Sequence, residues 1–206
     1  MKILAVGMNY AAHTLELHAN ENIHNTEPVL FMKPDSAVIQ SGKPFFLPSH
    51  LGRIDYETEM VVRICRLGKN IAPQFAHRYY DAVTVGIDFT AREMQAAARA
   101  KANPWLISKG FDGSAVLGEF VPVQEIGDIQ NLPFHLDIDG CTVQKGHSHD
   151  MLFTVDQIIA YVSQYMTLKI GDLLFTGTPV GVGPVSIDQH LEGYLADRKL
   201  LDFYIR

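Results

Sequence analysis

Cysteine is nearly absent: the 206 residues contain two, Cys65 and Cys141. Two cysteines cannot build a disulfide framework or a zinc finger. Each stands in an apolar, strand-like stretch, so both are expected as small core residues rather than as a bridge. Long hydrophobic runs are missing as well. No stretch approaches the ~18 apolar residues of a membrane-spanning helix, and the apolar part of Met1-Lys2-Ile3-Leu4-Ala5-Val6-Gly7 is too short for a signal peptide. The expectation is a soluble, cytoplasmic protein with no membrane partner. Clusters of lysine and arginine are lacking too, and the net charge of −6 gives no electrostatic footprint for a phosphate backbone, so nucleic acid is not an expected partner. Neither a G-x-S-x-G elbow nor a phosphate-loop lysine occurs, which removes the common serine hydrolases and nucleotide triphosphatases. His13-Thr14-Leu15-Glu16-Leu17-His18 fits neither spacing of the zinc proteases.

What is present is a folded domain. With 47% hydrophobic and 19% charged residues, a chain of this length buries roughly 70% of the surface its unfolded form exposes, so its stability requires no structural metal. A metal, if bound, serves chemistry. We read residues 1–206 as a single domain without repeats. Lys2 to Gly7 is a strand running into a turn, a short helix follows over about Tyr10 to His18, and Val29 to Lys33 is a strand bracketed by Pro28 and Pro34. Arg53 to Arg66 alternates and then becomes apolar, which favours one long strand whose first half has two different faces. Pro73 to Ala82 is expected helical, Val83 to Thr90 a buried strand, and Ala91 to about Lys101 a helix. Asp139-Gly140 closes a hairpin between 134–138 and 142–145. Thr154-Val155-Asp156-Gln157 is a capping box for a helix with Ile158, Ile159, Val162, Tyr165 and Met166 on one face. Leu173 to Phe175 and the segments from His190 to Ile205 read as strands. Many short strands with a few helices argue an α+β fold on a mixed or antiparallel sheet.

Four features carry chemistry. Glu57 and Glu59 are two apart on a strand, so both carboxylates project from one face, where like charges need a cation or a proton. By itself such a pair is more often a solvated strand face with two exposed acids. Asp88 ends an otherwise apolar strand, where a charge has no packing reason to be. The three together form an all-oxygen set suited to Mg²⁺ or Mn²⁺. His13 and Glu16, three apart on a helix, can act as a base and its orienter, or simply share a surface helix face. Lys109, flanked by apolar residues and Gly110, is either a surface lysine or an electrophile for developing negative charge. The glycines of Phe175-Thr176-Gly177-Thr178-Pro179-Val180-Gly181-Val182-Gly183-Pro184 permit close backbone approach to a ligand, though they also suit a turn. His147-Ser148-His149 reads as polar loop rather than as a metal site.

Gly7-Met8-Asn9-Tyr10-Ala11-Ala12-His13-Thr14-Leu15-Glu16, Glu27-Pro28-Val29-Leu30-Phe31-Met32-Lys33-Pro34, Tyr56-Glu57-Thr58-Glu59 and Asp88-Phe89-Thr90-Ala91-Arg92-Glu93-Met94-Gln95 occur in this order. Lys109-Gly110-Phe111-Asp112, Gln144-Lys145-Gly146 with Met151-Leu152-Phe153, and Gly171-Asp172 through Gly183 follow. Together these blocks resemble the fumarylacetoacetate hydrolase superfamily, in its short acylpyruvase and oxaloacetate decarboxylase branch. The resemblance implies a mixed β-roll or β-sandwich core, a homodimer, and a Mg²⁺ or Mn²⁺ site at Glu57, Glu59 and Asp88, with Ca²⁺ able to stand in. It makes His13 and Glu16 the catalytic pair, on a lid helix, and Lys109 an electrophile or proton partner. Arg92, Gln95, Lys33 and Thr178 become candidate substrate contacts. Met8 stands where many acylpyruvase-like members carry arginine, and Glu93 replaces the more usual aspartate.

The implied reaction is cleavage of a carbon–carbon bond in a small 2-oxo acid through a metal-held pyruvate enolate, either acylpyruvate hydrolysis or oxaloacetate decarboxylation. One alternative is isomerisation of a 2-hydroxy-dienoic or 2-oxo-enoic diacid, of the 2-hydroxyhepta-2,4-diene-1,7-dioate type. A second is a non-catalytic, metal-dependent binder of small acids, against which the joint presence of His13, Glu16 and Lys109 argues.

Overall fold

The computed structural model describes residues 1–12 and 26–206. Its strands are β1 (Ile3–Gly7), β2 (Val29–Lys33), β3 (Val38–Gln40), β4 (Ile54–Tyr56), β5 (Thr58–Ile64), β6 (Tyr80–Asp88), β7 (Thr90–Ala91), β8 (Ala115–Leu117), β9 (Val121–Pro122), β10 (Pro133–Ile138), β11 (Cys141–His147), β12 (Leu173–Phe175), β13 (Gly183–Pro184), β14 (His190–Leu195) and β15 (Arg198–Tyr204). The described α-helices are α1 (Arg92–Ala100), α2 (Leu106–Lys109), α3 (Val123–Ile126) and α4 (Val155–Tyr165). The α+β expectation holds.

The principal sheet runs β2-β1-β12-β5-β6-β8-β3, with β9 also paired to β6. It is mixed, since β1 pairs β12 and β3 pairs β8 in parallel while the other neighbours are antiparallel. The antiparallel sheet β11-β10-β14-β15 packs over it, and β13-β4-β7 forms a third, small sheet. Val83, Val85, Leu136, Leu191, Leu201 and Phe203 belong to one continuous core between the two larger sheets. Ile3, Ala5, Val61, Leu117, Leu173 and Phe175 form a second cluster. Because residues alternate sides along a strand, Val61 and Val62 enter different clusters, and the centre of the principal sheet is covered on both faces. The β1–β12 junction is stitched by Asp172, whose carboxylate accepts from the Lys2 backbone N–H at 2.8 Å, the Lys169 N–H at 2.8 Å and the Lys2 ammonium.

Several sequence expectations are met closely. Asp139 and Gly140 both take positive φ in the hairpin turn, at 51° and 76°, as a tight primed turn requires. Thr154 and Gln157 form the capping box of α4. Others are corrected. The single strand from Arg53 to Arg66 is two strands in different sheets, β4 and β5, broken at Glu57, and residues 54–62 are all buried. The alternation there reports two covered faces rather than one solvated face. The helix over Pro73 to Ala82 is a 3₁₀ turn from Pro73 to Arg78, because β6 begins at Tyr80 and pairs at once with Ile64. Cys65 is half-buried and Cys141 exposed, both as free thiols, so neither is a core residue. No described helix is long and apolar enough to cross a membrane.

Candidate active site

The β5–β6 ladder builds the acidic centre. Glu59 lies opposite Gly86, and beyond the last registered pair the Asp88 N–H donates to the Glu57 carbonyl at 2.8 Å. Glu57 and Asp88 are therefore cross-strand neighbours and Glu59 is the same-face neighbour of Glu57 two residues on. Side chains so placed stand about 5 Å apart at Cβ across strands. One carboxylate oxygen from each of Glu57, Glu59 and Asp88 lies within 4.8 Å of the others, and all three residues are buried. The break at Glu57 ends one sheet and opens the next without disturbing this convergence.

Three cations frame the trio. The Lys109 Nζ, at the end of α2, donates to Glu57 Oε2 and Asp88 Oδ2, each at 2.7 Å. Burial pushes the Lys109 ammonium down, but Asp88 and Glu57 outweigh it and the net shift is upward, so Lys109 is held as a cation. Arg92, at the start of α1, donates from Nη2 to Glu57 Oε1 at 2.7 Å, from Nε to Asp55 Oδ2 at 2.8 Å and from Nη1 to Gln95 Oε1 at 2.7 Å. The Lys33 amine sits 2.5 Å from Asp88 Oδ1 and donates to the Lys109 carbonyl and to Ser114 O and Oγ at 3.1 Å.

Glu59 is held differently. Its Oε2 accepts from the Gly177 backbone N–H at 2.7 Å. Burial first, then the charge of Asp88, push the Glu59 carboxyl well above the usual carboxylate range despite Lys109 and this hydrogen bond. Gly177 has φ of 100°, and a Cβ there would meet Asn9 Cβ at 2.8 Å, so only glycine brings this N–H to the carboxylate. Gln144 braces the same loop: its Nε2 donates to Thr178 Oγ1 at 2.8 Å and to the Pro179 carbonyl at 2.9 Å, and its Oε1 accepts from the Thr58 N–H at 3.0 Å.

The cleft over the trio is lined by Val6, Gly7, Met8, Phe31, Glu57, Glu59, Asp88, Arg92, Gln95, Arg99, Trp105, Lys109 and Thr178. The structure thus brings together Glu57, Glu59, Asp88, Lys109, Arg92, Gln95 and Thr178. Lys33 does not line the cleft. It lies behind Asp88, fully buried, which makes it a support for the acidic centre rather than a substrate contact. His13 and Glu16 lie outside the described residues. The chain leading to them is fixed by Asn9, which donates to the carbonyls of Thr176 at 2.8 Å and Phe153 at 3.1 Å and accepts from the Phe153 N–H at 2.8 Å. Met8, facing the cleft, takes φ of 58°, a left-handed conformation that costs a non-glycine residue roughly 1–2 kcal/mol.

Sequence reasoning missed Asp55, Asn9 and Gln144. Asp55 had a signal, since it continues the Glu57, Glu59 alternation backwards by two. Asn9 and Gln144 act through carbonyls and amides brought from distant segments, and their own neighbours in sequence do not announce it.

A divalent cation suits this donor set. Three buried carboxylates repel one another, hard oxygen ligands favour Mg²⁺ or Mn²⁺ over softer ions, and the donor atoms already converge. Among the described residues His190, Glu192 and Asp202 also cluster, but there the Lys199 ammonium bridges Glu192 and Asp202 at 2.9 Å each.

Comparison with known proteins gives the family. The chain is 40% identical over 190 residues to the mitochondrial oxaloacetate tautomerase of Arabidopsis thaliana, covering 92% of this chain and 84% of that protein. It is 40% identical over 189 residues to the mitochondrial oxaloacetate decarboxylase of Dictyostelium discoideum, covering 91% and 85%. The crystal structure of fumarylpyruvate hydrolase from Pseudomonas aeruginosa in complex with Mn²⁺ and pyruvate superposes with a TM-score of 0.90 at 32% identity, covering 100% of this chain and 89% of that one. The family model for the fumarylacetoacetate hydrolase C-terminal region matches residues 2–206. With family model, relatives and fold in agreement, the chain belongs to the fumarylacetoacetate hydrolase family.

Proposed function

We propose that this protein is a divalent-metal-dependent enzyme cleaving a carbon–carbon bond in a 2-oxo acid, by acylpyruvate hydrolysis or by oxaloacetate decarboxylation. The observation that carries the proposal is the buried convergence of Glu57, Glu59 and Asp88 with the Lys109 amine on two of them, at the floor of an open cleft. Those three residues would hold Mg²⁺ or Mn²⁺, and the ion when bound supplies a Lewis acid for the substrate's keto group.

The remaining roles belong to side chains. The Gln95 carbonyl oxygen is occupied by Arg92, which leaves its amide N–H groups to donate into the cleft. With the Lys109 ammonium it offers hydrogen bonds to an oxyanion forming on the distal carbonyl. Arg92 positions both Glu57 and Gln95, and Thr178 closes the opposite wall. His13, oriented by Glu16, would take a proton from water attacking the distal carbonyl. The C3–C4 bond then breaks, its electron pair stays on the pyruvate fragment as an enolate, and His13 returns the proton to that carbon. For oxaloacetate, departure of CO₂ leaves the same fragment and needs no attacking water.

A second reading, keto–enol or double-bond isomerisation, needs only the proton transfer. It is favoured by the similarity to an oxaloacetate tautomerase. A homodimeric assembly, implied by the family resemblance, and a cytoplasmic location, expected from the sequence, belong to the same proposal.

Pyruvate release from acetylpyruvate and from oxaloacetate, followed with Mg²⁺ and then with excess chelator, tests the reading. Chelator-sensitive release is expected. Enol decay without pyruvate release assigns the isomerase reading instead, and no change in either substrate refutes both. In the same assay His13→Ala is expected to lower hydrolysis by about 10²–10⁴ while the stabilisation of the fold by Mg²⁺ stays as in the wild type. Unchanged turnover removes His13 as the base.

A further inference from the structure

As sequence, His147-Ser148-His149 reads as polar loop; the folded chain gives it a defined shape. His147 ends β11 opposite Pro133. Ser148 is buried and clamped to Leu132: its N–H donates to the Leu132 carbonyl at 2.9 Å and its Oγ accepts from the Leu132 N–H at 2.8 Å. A 3₁₀ turn from Ser148 to Asp150 follows, closed by the Met151 N–H on the Ser148 carbonyl at 3.3 Å. The two histidines thus flank a residue that is held in place, and their rings meet with centroids 3.9 Å apart at a tilt of 57°.

Their partners fix which ring nitrogens are acceptors. His147 Nδ1 accepts from the His149 backbone N–H at 3.4 Å. It therefore carries a lone pair, in a bond long enough to yield to a stronger partner. His149 Nε2 donates to Asp150 Oδ1 at 2.9 Å, and a neutral imidazole that donates from Nε2 has its lone pair on Nδ1. These two Nδ1 atoms are in direct contact. Lone pairs aimed at each other repel, and a cation between them, a proton or a metal ion, turns that repulsion into attraction.

The surroundings favour the metal. A carboxylate on the far nitrogen of a ligating imidazole fixes its tautomer and raises its basicity, which is where Asp150 stands. Among the described residues no lysine or arginine pairs with Asp150, in contrast to the Lys199 bridge over Glu192 and Asp202. An ion with bonds of about 2.0–2.1 Å sets two adjacent nitrogen ligands about 3 Å apart, within reach of a small rotation of the exposed His149 ring. Solvent reaches that ring, which is 57% exposed, so water can fill the remaining positions. Imidazole nitrogen suits Cu²⁺, Ni²⁺ and Zn²⁺ rather than the hard ions that suit the acidic centre, and none of His147, His149 and Asp150 lines the cleft.

We propose that His147 and His149 form a second metal site, a two-nitrogen chelate for a divalent cation of the Cu²⁺, Ni²⁺ and Zn²⁺ class, with Asp150 as the positioning residue for His149. The proposal is independent of the 2-oxo acid reading above.

Cu²⁺ is the probe, because its electron paramagnetic resonance spectrum counts nitrogen ligands and Glu57, Glu59 and Asp88 offer none. Less than one equivalent is added to the full chain saturated with Mg²⁺, and affinity is measured by titration calorimetry. The wild type is expected to show hyperfine splitting from two imidazole nitrogens. His147→Gln and His149→Gln each lose that pattern, whereas Glu59→Gln keeps it. Asp150→Asn keeps the pattern and binds Cu²⁺ about 10–100-fold more weakly, the usual cost of removing a carboxylate behind a ligating histidine. A wild-type spectrum with oxygen ligands alone overturns the proposal and leaves the histidines sharing a proton only. A two-nitrogen pattern that survives both histidine substitutions at unchanged affinity also overturns it, since other histidines of the chain then hold the ion. Thermal melts of the three loop variants in chelator separate these outcomes from misfolding, because the substituted side chains lie at the surface while the Ser148 clamp is untouched.

Discussion

Lys33→Met is expected to destabilise the protein by about 3–5 kcal/mol in the presence of chelator, the usual consequence of removing one member of a buried ion pair. The side chains of Lys33 and Asp88 are both fully buried and 2.5 Å apart at the charged atoms. Burial pulls the Lys33 ammonium below its ordinary range and Asp88 pulls it back, so the amine is retained for its partners rather than for its own solvation. Methionine fills the same volume but leaves the Lys109 and Ser114 carbonyls without the donor they now share. Lys109 still faces Asp88, which limits the loss. For a chain of this size each kcal/mol moves the melting temperature by about 2–4 °C, so a fall of about 6 °C or more is expected. Millimolar Mg²⁺ should return part of it, because a cation shared by Asp88, Glu57 and Glu59 replaces the charge that was removed. A melting temperature within about 1 °C of the wild type under chelator would show that Lys33 contributes no pairing energy.

Lys33 also shows where sequence reasoning stops. A lysine between a strand and Pro34 has the pattern of a side chain that runs along the surface to water. Its burial is decided by Ser114 and by the carbonyl of Lys109, about eighty residues away, and no local pattern encodes that meeting. The acidic trio was legible for the opposite reason. Glu57 and Glu59 are related by the two-residue strand period, and Asp88 ends an apolar strand that pairs with them, so local periodicity and one antiparallel ladder suffice. The fold divides along the same line. Turns and caps fixed by neighbouring residues, at Asp139-Gly140 and Thr154 to Gln157, were readable. The break of one strand into two sheets at Glu57 was not, because alternation looks the same whether the second face meets water or a second layer. The outer cleft has the least local signal of all: Trp105, Phe31 and Gly7 come from three separate segments, and only the folded chain packs them together.

Glu59→Gln is expected to abolish stabilisation by Mg²⁺ and to lower turnover by about a thousandfold, equivalent to roughly 4 kcal/mol of transition-state stabilisation. The substitution is chosen because it separates charge from structure. A glutamine oxygen can still accept the Gly177 N–H that now bonds Glu59 Oε2 at 2.7 Å, so the loop from Thr176 to Gly183 keeps its anchor. What is lost is one of three negative charges that burial and Asp88 already oppose. In chelator the variant should therefore melt at or above the wild-type temperature, since a buried charge facing like charges destabilises the metal-free fold. With Mg²⁺ the order should reverse. Stabilisation by a ligand grows as RT ln(1 + [L]/Kd), so a hundredfold weaker Kd removes about 2.7 kcal/mol of it at saturating metal. The crossing of the two melting curves is the diagnostic result, because a variant that had merely misfolded would melt lower under both conditions. Equal stabilisation of wild type and Glu59→Gln by Mg²⁺, confirmed by equal affinity in titration calorimetry, would remove Glu59 from the ligand set and leave the site to be rebuilt around Glu57 and Asp88 alone.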